Sequence, residues 1–174
     1  MNIQDMFDMT GKVAIVTGGG THLGKAMASA LCELGASVTI ASRRRELCET
    51  VAATLMTQGM DCTGYGCDVT KENEVNALVS SVTEKHGRLD TIVCNAGGSA
   101  ETPTHVPHGN VSEFRATLDL NVVGTFLCAN AAAKIMVKQG SGAIITVGSI
   151  HGSLTTDKRF YDGLGFSRGG PAYQ

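Results

Sequence analysis

Residues 13–24 read Val-Ala-Ile-Val-Thr-Gly-Gly-Gly-Thr-His-Leu-Gly: a β-branched run over 13–16, a glycine cluster at Gly18, Gly19 and Gly20, and then Leu23, Met27, Leu31 and Leu34 at helical spacing. The run predicts a buried strand, the glycines a tight turn, and the apolar spacing a helix that Gly35 ends. Such a turn aims bare backbone N–H groups and the positive end of a helix at one point, which suits a pyrophosphate or another dianion. A tight strand-to-helix turn also needs glycine when nothing binds, so the cluster alone leaves both readings open. The spacing is not GxGxxG, because the third glycine position would fall on Leu23.

Outward from this stretch the pattern repeats. Residues 38–41 predict a second strand, and Leu47, Val51 and Leu55 mark a helix face that Gly59 stops. Residues 62–67 make a third strand, poor in apolar side chains and holding Gly64 and Gly66, as an edge strand can. Val75, Leu78, Val79 and Val82 give another helical stripe, 89–94 a buried-type strand, 112–139 a long helical segment closed by Gly140, and 143–147 a fifth strand. Strands alternating with helices require crossovers and yield a parallel sheet covered on both faces. The fold class expected is therefore α/β, a doubly wound, Rossmann-like parallel sheet in three α/β/α layers. A length of 174 residues suits one core and not two, so 1–174 is expected to be a single domain. The irregular stretches 98–111 and 150–170 follow strand C-termini, where open α/β sheets bind ligands.

Fourteen Lys and Arg against 16 Asp and Glu leave a net charge of -2, so no global field draws nucleic acid or anionic lipid. Small molecules or further copies of the chain are the expected partners, with no nucleic acid and no membrane. The N-terminal residues lack the cationic flank of a secretory signal, and no unbroken run of about 18 apolar residues occurs, which points to the cytoplasm. The six cysteines contain no CxxC pair and read as reduced, buried thiols. His105 and His108 form an HxxH beside prolines, a spacing unlike a helical zinc pair, and no metal is expected.

The turn from Thr17 to Gly24 resembles the TGxxxGxG turn of short-chain dehydrogenases/reductases, with Thr17, Gly18 and Gly24 in place and His22 where the middle glycine is usual. A side chain at His22 either faces solvent or adds a hydrogen bond to the pyrophosphate. Further resemblances follow in order. Asp68, in Cys-Asp-Val, is like the aspartate that holds the adenine; Asn95, Ala96 and Gly97 form an NAG triplet after the fourth strand. Asn121 is like the family's helix asparagine, and Ser149 like its catalytic serine at the end of the fifth strand. Each could be structural alone: Asp68 as a helix cap, Asn95 as a turn former, Asn121 as a satisfied core amide, Ser149 as a strand-end hydroxyl. Together they identify the chain as a member of the family along its whole length. The resemblance implies a nicotinamide dinucleotide held by Gly18, Gly20, Thr21, His22, Leu23, Gly24, Ser42, Arg43, Asp68, Val69, Asn95, Ala96 and Gly97.

In a dinucleotide site the second strand ends beside the adenosine ribose, where a carboxylate selects the free 2′-hydroxyl and a cation the 2′-phosphate. The sequence there is Ser42-Arg43-Arg44-Arg45, with no acid. Cations at a helix start cost about 0.3 to 1 kcal/mol each, a penalty that a bound phosphate reverses. NADP is therefore the expected cofactor, with NAD as the alternative, and a solvated basic turn as the reading without a ligand.

The resemblance also implies a carbonyl or secondary-alcohol substrate, with Ser149 holding the substrate oxygen, Asn121 ordering a relay water, and the tyrosine of a YxxxK pair as acid/base. Tyr161 lies near the usual spacing from Ser149, but Gly163 and Gly165 spoil a helix there; Tyr173, after Pro171, opens one better. Tyr173 is the tyrosine chosen. Its lysine would fall beyond Gln174, so the 174 residues are expected to be C-terminally incomplete, with later strands and helices missing, and inactive alone. Lys158, Arg159 and Arg168 in the intervening segment would suit an acidic or polyhydroxylated substrate, or simply a solvated loop. A homodimer or homotetramer is implied for the full-length protein. Two rival readings stay open: a dinucleotide-binding module or truncated product without turnover, and an enzyme of the same sheet type acting on a nucleotide sugar.

Overall fold

A computed structural model describes residues 3–98 and 110–152. Strands β1 (Val13–Thr17), β2 (Ser37–Ser42), β3 (Cys62–Gly66), β4 (Thr91–Cys94) and β5 (Ala143–Thr146) form one parallel sheet in the order β3-β2-β1-β4-β5. The helices are α1 (Ile3–Phe7), α2 (His22–Glu33), α3 (Arg45–Met56), α4 (Glu72–His86), α5 (Val111–Leu118) and α6 (Gly124–Gln139). Residues Asp119–Val123 wind as a π-helix between the last two. The short α1 has no counterpart in the hydrophobic pattern read above.

Neighbouring residues of β1 enter opposite cores. Ala14 and Val16 join Val38, Ile40 and Val93 beneath α2 and α3, whereas Val13 and Ile15 join Ile92 and Cys94 beneath α4 and α6. Burial on both faces is the reason these strands read as continuous β-branched runs. Ile15, Ile40 and Ile92 are wholly buried, each contributing about 1.5 to 3 kcal/mol relative to exposure. All six cysteines are free and buried, as expected.

The stripe expected for α2 needs correcting. Leu23 is 67% exposed, and the buried residues are Gly24, Ala28 and Cys32. Small side chains four apart let α2 settle close to the sheet, and the larger Met27 and Leu31 pack at its flanks. A similar close approach explains β3. It is an edge strand as expected, but a Cβ at Gly64 would overlap the backbone of Cys48 and Glu49, so this glycine admits α3.

The helical stretch Val111–Gln139 runs for 29 residues and, though it contains no unbroken apolar run, is long and apolar enough by length and composition to cross a membrane. Its Gly124, Cys128, Ala131, Ala132 and Met136 are buried, while Phe126 and Val137 are 63% and 79% exposed. All four residues of β5 are exposed.

Register decides where the strands end. Thr17 pairs with Ala41, Ser42 with Gly66, and Cys94 with Thr146. The C-terminal ends therefore lie level, and the segments after them share one rim. The chain leaves β3 at one edge and returns as β4 on the far side of β1, which makes the β1/β4 gap the topological switch point.

Candidate functional site

The glycine turn is anchored by Thr17 and Asn95. The buried Thr17 hydroxyl accepts the backbone N–H of Asn95 (3.0 Å) and of Ala96 (3.1 Å) and donates to the Val93 carbonyl (3.3 Å). The Asn95 side-chain amide donates to the Thr17 carbonyl at 3.0 Å. Gly18 has φ +67°, and a Cβ there would lie 2.8 Å from the Asn95 amide nitrogen. Gly24 lies against the Gly18 carbonyl and leaves no room for a Cβ, so the first turn of α2 presses onto the loop. Thr21, at the N-cap, makes no side-chain cap bond, and no acidic residue lies in that first turn. The positive helix end is thus uncompensated by the chain itself. His22 has φ +44°, the left-handed region, and is the non-glycine residue found there among the described residues. That backbone shape accounts for the glycine usual at this place.

At the end of β2, the Ser42 hydroxyl accepts the Arg44 backbone N–H at 3.2 Å. Of the three arginines, Arg45 is engaged: its Nε lies 2.7 Å from Glu49 Oε1, one helical turn on. The ion pair offsets the charge of Arg45 at the helix start, and Arg43 and Arg44 are the pair at the cavity. After β3, Asp68 Oδ1 accepts both the backbone N–H (3.1 Å) and the hydroxyl (2.8 Å) of Thr70. Partial burial pushes the Asp68 carboxyl up, but the Thr70 hydrogen bonds and the charges of Arg43 and Lys71 outweigh it and hold the group below its ordinary value.

Asn121 sits in the π-helical turn. Its Oδ1 accepts the Gly98 N–H at 3.0 Å, and its Nδ2 donates to the carbonyls of Gly98 (2.7 Å) and Thr117 (2.8 Å). Both amide protons are used within the protein, leaving one acceptor position on Oδ1. A Cβ on Gly97 would fall 2.7 Å from that oxygen, so the last residue of the triplet must be small. Ser149 follows β5 at the same rim.

These ends enclose one cavity of about 960 Å³. Gly18, Gly20, Thr21, His22, Leu23 and Gly24 line it from the turn, Ser42 and Arg43 from β2, and Asp68 and Val69 from β3. Asn95, Ala96 and Gly97 line it from β4, Asn121 from the π-helix, and Ser149 from β5. Tyr173 lies outside the described residues, as do Tyr161, Lys158, Arg159, Arg168, His105 and His108. The sequence reading missed Arg44, Cys67, Leu120, Thr125, Val147 and Gly148. Four of these, Arg44, Cys67, Leu120 and Gly148, directly adjoin assigned residues, and Val147 stands two away from Ser149. Thr125 is brought in by the π-helix, which has no signature in the sequence.

A level-ended parallel sheet with a cavity at its switch point defines a Rossmann-like α/β protein. The chain belongs to the short-chain dehydrogenase family, whose model (short chain dehydrogenase) matches residues 12–159. It is 34% identical over 142 residues to zerumbone synthase of Zingiber zerumbet, covering 82% of this chain and 53% of that protein. It is 33% identical over 150 residues to 3-oxoacyl-[acyl-carrier-protein] reductase of Synechocystis sp., covering 86% and 60%. Among solved structures, a short-chain type dehydrogenase/reductase from Mycobacterium marinum superposes with a TM-score of 0.85 at 37% identity, covering 90% of this chain and 63% of that one. The chain spans between half and two thirds of the length of these relatives.

Proposed function

We propose that the whole protein is an NAD(P)-dependent oxidoreductase interconverting a carbonyl and a secondary alcohol, with NADP preferred. The observation that carries this reading is the convergence of the uncapped, acid-free start of α2, the Arg43–Arg44 pair and the Asp68 carboxylate on one cavity. These groups fit a dinucleotide: the amides of the turn suit a pyrophosphate, the arginines a 2′-phosphate, and the carboxylate an amino group on the base. When bound, the dinucleotide supplies or accepts the hydride. In this reading Ser149 donates a hydrogen bond to the substrate oxygen. The remaining acceptor position of Asn121 Oδ1 holds a relay water, and Tyr173 transfers the proton. The broad substrate range of the named relatives, a reductase of a carrier-bound oxoacyl group among them, supports the reaction type and not one substrate.

The same reading includes self-association, supported by the exposed apolar side chains Phe114, Val122, Phe126 and Val137 along α5, the π-helical turn and α6. The test is titration of the protein with NADPH and NADH, followed by a screen for NADPH oxidation against carbonyl compounds. Binding with NADPH preferred and turnover that Ser149→Ala abolishes is the expected result. Binding without hydride transfer by the full-length protein would favour the non-catalytic module, and no affinity for either dinucleotide would overturn the reading.

A further inference from the structure

The charged groups around the cavity differ in how they answer pH. Two of them, Arg43 and Arg44, are arginines, a residue type that does not lose its proton in proteins. Asp68, held below the ordinary carboxylate range, stays anionic above mildly acid pH. Burial pushes the Cys67 thiol up to about 12, so it stays neutral. Among the described lining residues this leaves His22, and histidine is the residue type whose charge changes between about pH 5 and 8. His22 is the first residue of α2, exposed, on the wall of the cavity among the amides of the turn. A glycine in the same left-handed conformation would present an amide alone; histidine keeps the backbone shape and adds an imidazole.

We propose that His22 makes the hold on a pyrophosphate pH-dependent, strengthening it as imidazolium and releasing that increment as neutral imidazole. The inference rests on the reading of the cavity as a dinucleotide site and adds a regulatory property to it. The dianion and the imidazolium stabilise each other, so binding takes up protons and affinity falls as pH rises. The charged side chains that share the cavity wall with it are Arg43 and Arg44 from the turn before α3 and Asp68 from the end of β3, and Lys25 lies one turn along α2.

The 2′-phosphate of NADP titrates near neutrality and would obscure the effect. ADP-ribose, which carries a pyrophosphate and no further ionising phosphate, is therefore the probe. Its Kd is measured by calorimetry from about pH 5.5 to 8.5 for the wild-type chain, His22→Asn and His22→Gly. Asparagine and glycine both tolerate the left-handed backbone, and circular dichroism checks that each variant folds. The expected result is a wild-type Kd that weakens on the order of tenfold across the window, while both variants stay flat near the wild-type alkaline value. A flat wild-type profile, or a slope that persists in His22→Asn, overturns the proposal while leaving the dinucleotide reading intact. Folded wild-type protein that binds neither ADP-ribose nor NADPH at any pH overturns that reading and this proposal with it.

Discussion

The side-chain amide of Asn95 donates to the backbone carbonyl of Thr17 across 3.0 Å, tying the end of β4 to the end of β1 at the switch point. The Thr17 hydroxyl answers by accepting two backbone N–H groups, those of Asn95 and Ala96. Replacing that hydroxyl by a methyl takes the acceptor from the Ala96 N–H and leaves the Asn95 N–H with the Val93 carbonyl, 3.1 Å away. Thr17→Val is expected to cost about 1 to 3 kcal/mol, and Thr17→Ser distinctly less because the acceptor is kept. Urea denaturation of the two variants measures the difference; a loss in Thr17→Ser as large as in Thr17→Val would show that keeping the hydroxyl does not protect this junction.

Two glycines on the same strand should respond unequally to alanine. A Cβ on Gly64 meets backbone atoms of Cys48 and Glu49, whereas one on Gly66 meets the Arg45 side chain at 3.0 to 3.4 Å. Backbone overlap at Gly64 cannot be relieved without displacing α3; the contact at Gly66, nearest at the Arg45 Cβ, calls for a shift of a few tenths of an ångström. Gly64→Ala should cost roughly 3 kcal/mol or more and lower the yield of folded protein, and Gly66→Ala less than about 1 kcal/mol. Thermal denaturation of both variants decides the matter.

The contrast between these glycines also shows what the sequence could and could not disclose. β-Branched runs and the stripe Val75, Leu78, Val79 and Val82 gave strands and α4 directly, because burial by area leaves a periodic trace. The same logic misread α2, where contact is made by Gly24, Ala28 and Cys32: close approach selects small residues, and small residues carry little hydrophobic signal. The fifteen assigned residues that line the cavity were legible because they follow strand ends whose register is level. Thr125 and the particular partners of the Asn121 amide were not, since the first depends on the π-helical turn and the second on backbone groups of Gly98, 23 residues away, and Thr117.

The ion pair of Arg45 with Glu49 separates it from its two neighbours. If Arg43 reads a 2′-phosphate, Arg43→Asp should weaken NADPH binding by about tenfold or more and shift preference toward NADH, since it both removes a charge-assisted contact and adds repulsion. Arg45→Ala should leave the NADPH to NADH ratio unchanged, because its guanidinium is committed along α3. Fluorescence titration with both reduced dinucleotides checks this; an unchanged ratio in Arg43→Asp would remove Arg43 from the selection of cofactor.

At the opposite end of the sheet, Asp90 Oδ2 accepts the Val13 N–H at 2.9 Å, and its two oxygens take hydrogen bonds from Arg88 at 2.7 and 2.6 Å. The Arg88 hydrogen bonds hold the Asp90 carboxyl below its ordinary value, against the opposing effect of partial burial. A carboxylate whose pKa is lower folded than unfolded contributes stability above the unfolded value and loses it as pH falls through the folded one. Asp90→Asn should therefore be less stable than wild type by about 1 to 2 kcal/mol at neutral pH, a figure kept modest because Arg88 is 41% exposed. The gap should begin to close below about pH 4, where the unfolded carboxylate takes up its proton, and close further once the folded one does. It should also narrow in about 1 M salt, which screens the exposed partner. Urea midpoints at neutral and acid pH test this, and a gap that persists unchanged into strong acid would assign the loss to geometry at Val13 and not to charge.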